Sequence, residues 1–348
     1  MFILKSPIFY DKNILSQDKL TIDDYYNISK KLFNSKEGKN YKDKTHNKVL
    51  LQKNNFLVMY MNFKSHNILE KTGRNKLYKI IETYNPDVIC LSEALHPVNI
   101  PNNKNTKVKT TIFNIEKLTD DTIIGPYEGA KQFEIKKIEL YNGYKKIKGV
   151  WKSFFLNNGY KYIVFGNPKY CPWGNNWGNC IITKKKPEYA FVLQMGHYGK
   201  KEFGKFESRN MIIVKINNQY IGTTHLDNNN SKARSNQAKE IIDFFNKNKI
   251  YENITLVGDL NAINKKSYNQ RELNLLKKRN INQEELPYDA VDIINKSNLF
   301  GPKPINTGQK YESLFQKCVT HVYSNKLKNT EMIFTDTTDF DHQPIFIW

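Results

Sequence analysis

Residues 254–263 read ITLVGDLNAI. An apolar run of strand length stops abruptly in Gly258-Asp259-Leu260-Asn261. A strand buried on both faces reads as a continuous apolar run. One that delivers a carboxylate and an amide at its very end is placing chemistry at the rim of a sheet, where α/β proteins keep their ligand sites. On an extended chain Asp259 and Asn261, two positions apart, fall on the same side. Gly258 is expected to let the backbone turn close to that site.

The same ending recurs along the chain. FLVMYMN (56–62) reads as a strand that ends in Asn62, and DVICLSE (87–93) as one that ends in Glu93. NMIIVKI (210–216) and YIGTTHL (220–226) read as a hairpin around Asn217-Asn218, with His225 near its end and Asp227 just after. Near the C-terminus, Asp341-His342 precedes the apolar PIFIW. One polar strand end is unremarkable, but five in one domain point to a single cleft at one rim.

The chemistry of this set is narrow. Glu93, Asp259 and Asp341 are carboxylates, which repel one another in a cleft unless a cation neutralises them. Hard oxygen donors with an amide beside them suit Mg²⁺, with Mn²⁺ able to substitute, and do not suit zinc. His225 and His342 can donate to a phosphate oxygen or move a proton near neutral pH. Together these groups describe metal-assisted attack of water on a phosphoester. The chain has no GxxxxGK[ST] loop and no dinucleotide fingerprint, so nucleotide-driven motors and dehydrogenases recede.

The rest of the 348 residues supports an enzyme-sized core. Hydrophobic residues make up 39% and aromatic residues 13%. The Lys- and Asn-rich remainder has the character of an AT-rich genome, such as that of a large DNA virus or a low-GC microbe. Lys and Arg number 54 against 34 Asp and Glu, a net charge of +20 that favours a polyanionic partner, nucleic acid first. Cys90, Cys171, Cys180 and Cys318 contain no CxxC pair and read as reduced thiols. The N-terminal apolar stretch is too short for a signal peptide, and no run of about 18 apolar residues could span a membrane. The expectation is an intracellular monomer, not secreted.

Residues 1–50 read as a Lys- and Asn-rich, partly ordered extension, and residues 51–348 as the catalytic domain. Between the strands, NKLYKIIETYN (75–85) has helical spacing and stops before Pro86, while SKARSNQAKEIIDFFNKN (231–248) is an amphipathic helix. YIVFGN (162–167), GNCIITK (178–184), YAFVLQM (189–195) and KCVTHVYSN (317–325) read as further strands. Segments 99–150 and 263–316 carry little pattern and are expected to be loops. Mixed strands with interleaved helices make an α/β or α+β sandwich.

Read in order, YMN (60–62), PDVICLSE (86–93), WGNCIITK (177–184), ESRNMIIVKI (207–216), THLD (224–227) with ARSNQA (233–238), GDLNA (258–262) and FDHQPIF (340–346) resemble the endonuclease/exonuclease/phosphatase superfamily. The resemblance covers roughly residues 56–348. It implies the DNase I-like fold, a four-layer sandwich of two packed mixed β-sheets flanked by helices. It also implies a divalent-metal phosphodiesterase or phosphatase. Carried over by position, Glu93 is the main Mg²⁺ ligand, with Asn62 near it and Asp341 contributing. Asp259 orients or deprotonates the attacking water, and Asn261 holds that aspartate or binds the phosphate. His225 contacts the scissile phosphate or assists the leaving group, and His342 stabilises transition-state charge. Lys64, Trp177, Asn179 and Asp227 are expected near the substrate, Trp177 by stacking on a base. Arg209 and Arg234 read as structural.

The pattern breaks at CVTHVYS (318–324), where Thr320 stands in place of the aspartate that the superfamily uses to hold its last catalytic histidine. A hydroxyl cannot stabilise an imidazolium by charge, so His342 is expected to hold its proton less tightly. Asp289, Asp336 or Asp339 could fold back to take over that part, and His321 could adjust the role. Three functions stay open: a nuclease on DNA or RNA, a phosphatase or phospholipase on small phosphorylated substrates, and a catalytically weakened nucleic-acid-binding member.

Overall fold

The computed structural model describes residues 56–62, 71–95, 113–114, 157–166, 177–196, 209–228, 231–262, 289–301, 319–332 and 344–348. The expected N-terminal extension, Lys64, Asp336, Asp339, Asp341 and His342 lie outside them.

Among the described residues, twelve strands form two mixed sheets. The first has seven strands in the order β11-β12-β1-β2-β5-β4-β3. Its members are β1 (Val58–Asn62), β2 (Val88–Leu95), β3 (Phe113–Asn114), β4 (Tyr162–Gly166), β5 (Trp177–Thr183), β11 (Thr330–Met332) and β12 (Ile345–Ile347). The second has five in the order β10-β9-β8-β7-β6. Its members are β6 (Tyr189–Gln194), β7 (Asn210–Ile216), β8 (Gln219–His225), β9 (Ile254–Asp259) and β10 (Thr320–Ser324). Three helices complete the described elements: α1 (Lys71–Tyr84), α2 (Ser231–Lys247) and α3 (Asp289–Lys296).

Each sheet contains one parallel pair, β1 with β2 and β8 with β9. A parallel pair needs a crossover, and α1 and α2 supply the two. Parallel strands finish on the same rim, so Asn62 and Glu93 close one edge of the first sheet while His225 and Asp259 face each other in register on the second.

Side-chain alternation sorts the core into layers. Val58 and Tyr60 of β1, Val88 and Cys90 of β2, Ile212 and Val214 of β7, Val257 of β9 and Val322 of β10 fill the space between the sheets. Met211, Ile213, Ile254 and Leu256 point the other way and pack with Ala238, Ile241 and Phe245 of α2 and Ala290, Val291 and Ile294 of α3. On the far side α1 buries Ile80, Ile81 and Tyr84, and the Tyr84 ring lies 4.8 Å from that of Phe346 in β12. The layers are therefore α1, first sheet, second sheet, and α2 with α3, as the resemblance implied.

The local signals hold where they were strong. α1 ends at Tyr84, and Asn85 turns the chain at φ +48° ahead of Pro86. Asn217 and Asn218, at φ +50° and +59°, close the β7–β8 hairpin with the two left-handed residues of a type I′ turn. The segments expected to be loops do contain structure. β3 is a two-residue pairing with β4, too short to leave a period in the sequence. α3 is eight residues long, and its apolar Ala290, Val291 and Ile294 at helical spacing were a usable but brief signal.

Gly258 has a different task from the expected turn. It lies within β9, opposite Thr224 of β8. A β-carbon there would stand 2.1 Å from the Thr224 carbonyl oxygen. The glycine lets two backbones approach directly under the rim. Because the obstacle is backbone, Gly258→Ala is expected to cost about 3 kcal/mol or more of stability, seen as a lowered denaturant midpoint.

His321 is fully packed on the helix side of β10, stacked on Tyr323. Its Nε2–H donates to the Ala262 carbonyl, and its Nδ1 has no hydrogen-bond partner among the described residues. It therefore lies on the face of β10 opposite Val322 and Thr320. Burial pushes its pKa down from the ordinary 6.5 to about 4. The unfolded chain thus binds the proton first. Stability is full above pH 6.5 and falls as the pH drops towards 4, by about 3 kcal/mol across the window. Denaturant midpoints measured between pH 7 and pH 5 should fall for the parent and fall less for His321→Gln.

Candidate active site

The rim residues are brought together by local devices in each strand. β2 pairs with β5 through Leu91↔Cys180 and then Ala94↔Gly178, so one extra residue is bulged out of β2 between them. Glu93 occupies that bulge with φ +53°, a left-handed conformation that a glutamate adopts at a cost of roughly 1–2 kcal/mol. Its side chain keeps 19% exposure in an otherwise closed layer. The strain aims this carboxylate across to the second sheet.

Asn62 joins the two halves. Its Nδ2 donates to Glu93 Oε1 at 3.1 Å and to Asp259 Oδ2 at 3.2 Å. One amide thus ties the last residue of β1 to a carboxylate on each sheet. Asn62 is 1% and Asp259 2% exposed, so these bonds form away from bulk water.

Asn261 organises the second sheet's half. The chain is not extended there, since Asn261 has φ +47°. Its backbone N–H donates to Asp259 Oδ1 at 2.8 Å, an Asx-type turn that locks the carboxylate. Its Nδ2 donates to the Leu226 carbonyl at 3.0 Å and lies 3.0 Å from His225 Nε2. A carbonyl can only accept, so the amide end facing Leu226 is the NH₂, and its second hydrogen points to His225. The Asn261 amide thus holds the Nε2 edge of the His225 ring in place. Nε2 also lies 3.7 Å from Asp259 Oδ2 and 3.9 Å from Glu93 Oε1.

Asn62, Glu93, His225, Asp259 and Asn261 therefore form one connected cluster. The other expected residues fall around it. Asn179 is buried, and its Nδ2 is committed to Asn210 at 2.9 Å from Oδ1 and 3.0 Å from the backbone oxygen. Asp227 ties the loop after β8 to α2, its N–H donating to Gln237 Oε1 and its carbonyl accepting from buried Arg234. Arg209 is likewise buried. Trp177 opens β5, and its side chain lies outside the described residues. Thr320 is the register partner of Asp259 and, alternating with Val322, sits on the face of β10 that looks between the sheets.

Sequence reading missed Ser92, Thr224 and Asn210. Tyr60 donates its hydroxyl to Ser92 Oγ at 3.0 Å, and Ser92 Oγ lies 3.4 Å from the Thr224 carbonyl across the sheets. These residues form a polar layer immediately beneath the cluster. The signal available was their spacing: each sits within one or two residues of a rim residue or opens a strand.

Among the described residues, no group of three or more His, Cys, Asp or Glu side chains is placed to hold a metal ion by itself. The carboxylates of Glu93 and Asp259 are nevertheless donors of the kind Mg²⁺ takes, since it keeps several waters and commonly uses one or two carboxylates.

No protein-family model matches the chain, and no curated protein matches it. Solved structures do match. An endonuclease/exonuclease/phosphatase from Bacteroides vulgatus aligns with a TM-score of 0.50 at 11% identity, over 84% of this chain and 97% of that one. One from Beutenbergia cavernae aligns with a TM-score of 0.50 at 12% identity, over 84% of this chain and 70% of that one. An AP endonuclease from Archaeoglobus fulgidus aligns at 0.48 and 13% identity, over 84% and 99%. At these identities the likeness is one of fold. Among the described residues, no helix is long and apolar enough to cross a membrane. In the order of its motifs and in its two packed mixed sheets, the chain resembles the endonuclease/exonuclease/phosphatase superfamily and has the DNase I-like fold.

Proposed function

We propose that the chain is a divalent-metal-dependent phosphodiesterase, a nuclease that hydrolyses DNA or RNA by metal-assisted attack of water. The observation that carries this reading is the amide of Asn62 bridging Glu93 and Asp259 from two different sheets, beside His225. Two carboxylates whose oxygens meet at one amide nitrogen repel each other, and a divalent cation beside them relieves that repulsion.

In this reading Glu93 would hold Mg²⁺, with Asp341 and the amide oxygen of Asn62 contributing. When bound, the metal polarises a phosphoryl oxygen and lowers the cost of charge on the leaving oxygen. Asp259 orients the attacking water and takes its proton. Its two oxygens are fixed by Asn261 and Asn62, so the base needs no reorganisation during the step. Asn261 also orients His225, whose Nε2 edge faces both carboxylates and whose part is at the scissile phosphate or the leaving group. His342 is assigned the phosphate from the other side, and Lys64, Trp177 and Asp227 the substrate's approach, while Asn179 is held by Asn210. The net charge of +20 supports a nucleic acid over a small phosphoester, because neutralising backbone phosphates drives binding.

The test is cleavage of labelled single- and double-stranded DNA and RNA in Mg²⁺ and in EDTA, run beside a phosphate-release assay on small phosphomonoesters. Metal-dependent strand cleavage supports the nuclease. Phosphate release without strand cleavage moves the substrate to small phosphoesters. Binding with neither activity would mark a non-catalytic member.

A further inference from the structure

The two halves of the proposed centre stand on different sheets, so the spacing between sheets at this rim sets its geometry. We propose that Asn210, the first residue of β7, is a positioning residue that pins the sheets together beneath the centre. This inference rests on the function proposed above.

Asn210 is 1% exposed and makes its contacts across the interface. Its Nδ2 donates to the Gly166 carbonyl at 2.8 Å, at the end of β4. Its Oδ1 accepts from Asn179 Nδ2 of β5 at 2.9 Å. Its backbone carbonyl accepts from the same Asn179 nitrogen at 3.0 Å and from Thr224 Oγ1 of β8 at 3.0 Å. One residue thus links two strands of the first sheet to two of the second. Buried partners left without it pay their full desolvation cost, so the arrangement is held in one geometry.

Two further features agree. A β-carbon at Gly166 would stand 2.8 Å from Ile212 Cγ1 and 3.0 Å from Asn210 Oδ1, so the sheets approach here as closely as a glycine allows. Both ends of the pin also lead straight to the cluster. Asn179 lies between the β5 residues that flank the Glu93 bulge, and Thr224 directly precedes His225. Asn210 touches none of the reacting groups. It acts by holding the Glu93 half against the Asp259 half, where a displacement of about 1 Å can cost roughly 10²-fold in rate.

Asn210→Ala is expected to lower kcat on a labelled oligonucleotide by about 10- to 100-fold and to leave KM within about threefold. Gly166→Ala, which wedges the same contact from the first sheet, is expected to give the same split. If either variant fails to fold, the other supplies the reading, with Asn210→Ser as a milder third. A second readout needs no activity: a stability cycle of Asn210→Ala with Asn62→Ala. The hydrogen bonds of Asn62 go to Glu93 and Asp259 and those of Asn210 to Gly166, Asn179 and Thr224, and sites bonded to different residues normally add. A pin that sets the spacing of the Asn62–Asp259 bond makes the two losses together smaller than their sum. Unchanged kcat with additive stability losses would reduce Asn210 to a packing residue and overturn the proposal, and so would a raised KM at constant kcat. If the parent cleaves nothing, the functional reading fails and the stability cycle alone decides the pin.

Discussion

Glu93→Gln is expected to lower kcat for strand cleavage by about 10²–10³-fold and to weaken Mn²⁺ binding, while the protein melts no lower than the parent. Gln keeps the shape of the side chain and its contact with Asn62. It removes the charge that balances a hard cation. It also removes one of two carboxylates whose oxygens meet at a single amide nitrogen, 3.1 and 3.2 Å away. Relief of that repulsion offsets the weaker hydrogen bond. Glu93→Gly sharpens the point. The residue sits at φ +53°, which glycine adopts freely. The glycine variant should be as inactive as the glutamine variant and yet gain roughly 1 kcal/mol in stability. Thermal unfolding beside a cleavage assay reads both. Loss of activity accompanied by a large loss of stability in both variants would mean that Glu93 serves the fold.

Asp259→Asn is expected to lower kcat by about 10²–10⁴-fold and also to destabilise the protein by about 1–3 kcal/mol. The second effect distinguishes it from Glu93. Asp259 Oδ1 accepts from the Asn261 N–H at 2.8 Å, and Oδ2 accepts from Asn62 Nδ2 at 3.2 Å. Both oxygens face donors, so an asparagine must turn its own NH₂ towards one of them in either orientation. The substitution therefore breaks the tie between the sheets or the turn that holds Asn261, in addition to removing the base. Denaturant titration and single-turnover cleavage of the same preparation separate the two losses. A variant that keeps its activity would exclude Asp259 as the group that handles the water.

Much of this was legible in the chain because strands that stop in polar residues are visible as strings. FLVMYMN, DVICLSE, YIGTTHL and ITLVGDL each carry their rim residue at the point where apolar character ends. The structure brings those four endings to one place, with Asn62 in contact with two of them. The details that decide geometry were not legible. The Glu93 bulge depends on a register with β5, about 85 residues away in sequence, and no local pattern encodes it. Gly258 was read as a turn because glycine at a strand end commonly is one. Its reason is the Thr224 carbonyl on a neighbouring strand. Asn261 was read on an extended chain, and the left-handed φ instead gives its backbone to Asp259 and its side chain to His225. The polar layer of Ser92, Thr224 and Asn210 escaped because small polar residues in strands look alike whether they face solvent or a partner sheet. α3 escaped because eight residues hold barely two turns of periodicity.

The central claim is that Glu93 and Asp259, joined across two sheets, form a hydrolytic centre built around a divalent cation. A crystal soaked in Mn²⁺ with a short oligonucleotide, with data collected at the manganese absorption edge, tests it most directly. The expected result is an anomalous peak bonded to Glu93, with a phosphate oxygen of the oligonucleotide on the same ion and Asp259 facing the phosphorus from the side opposite its leaving oxygen. An ordered oligonucleotide elsewhere on the surface, with no peak at Glu93 at saturating Mn²⁺, would contradict it.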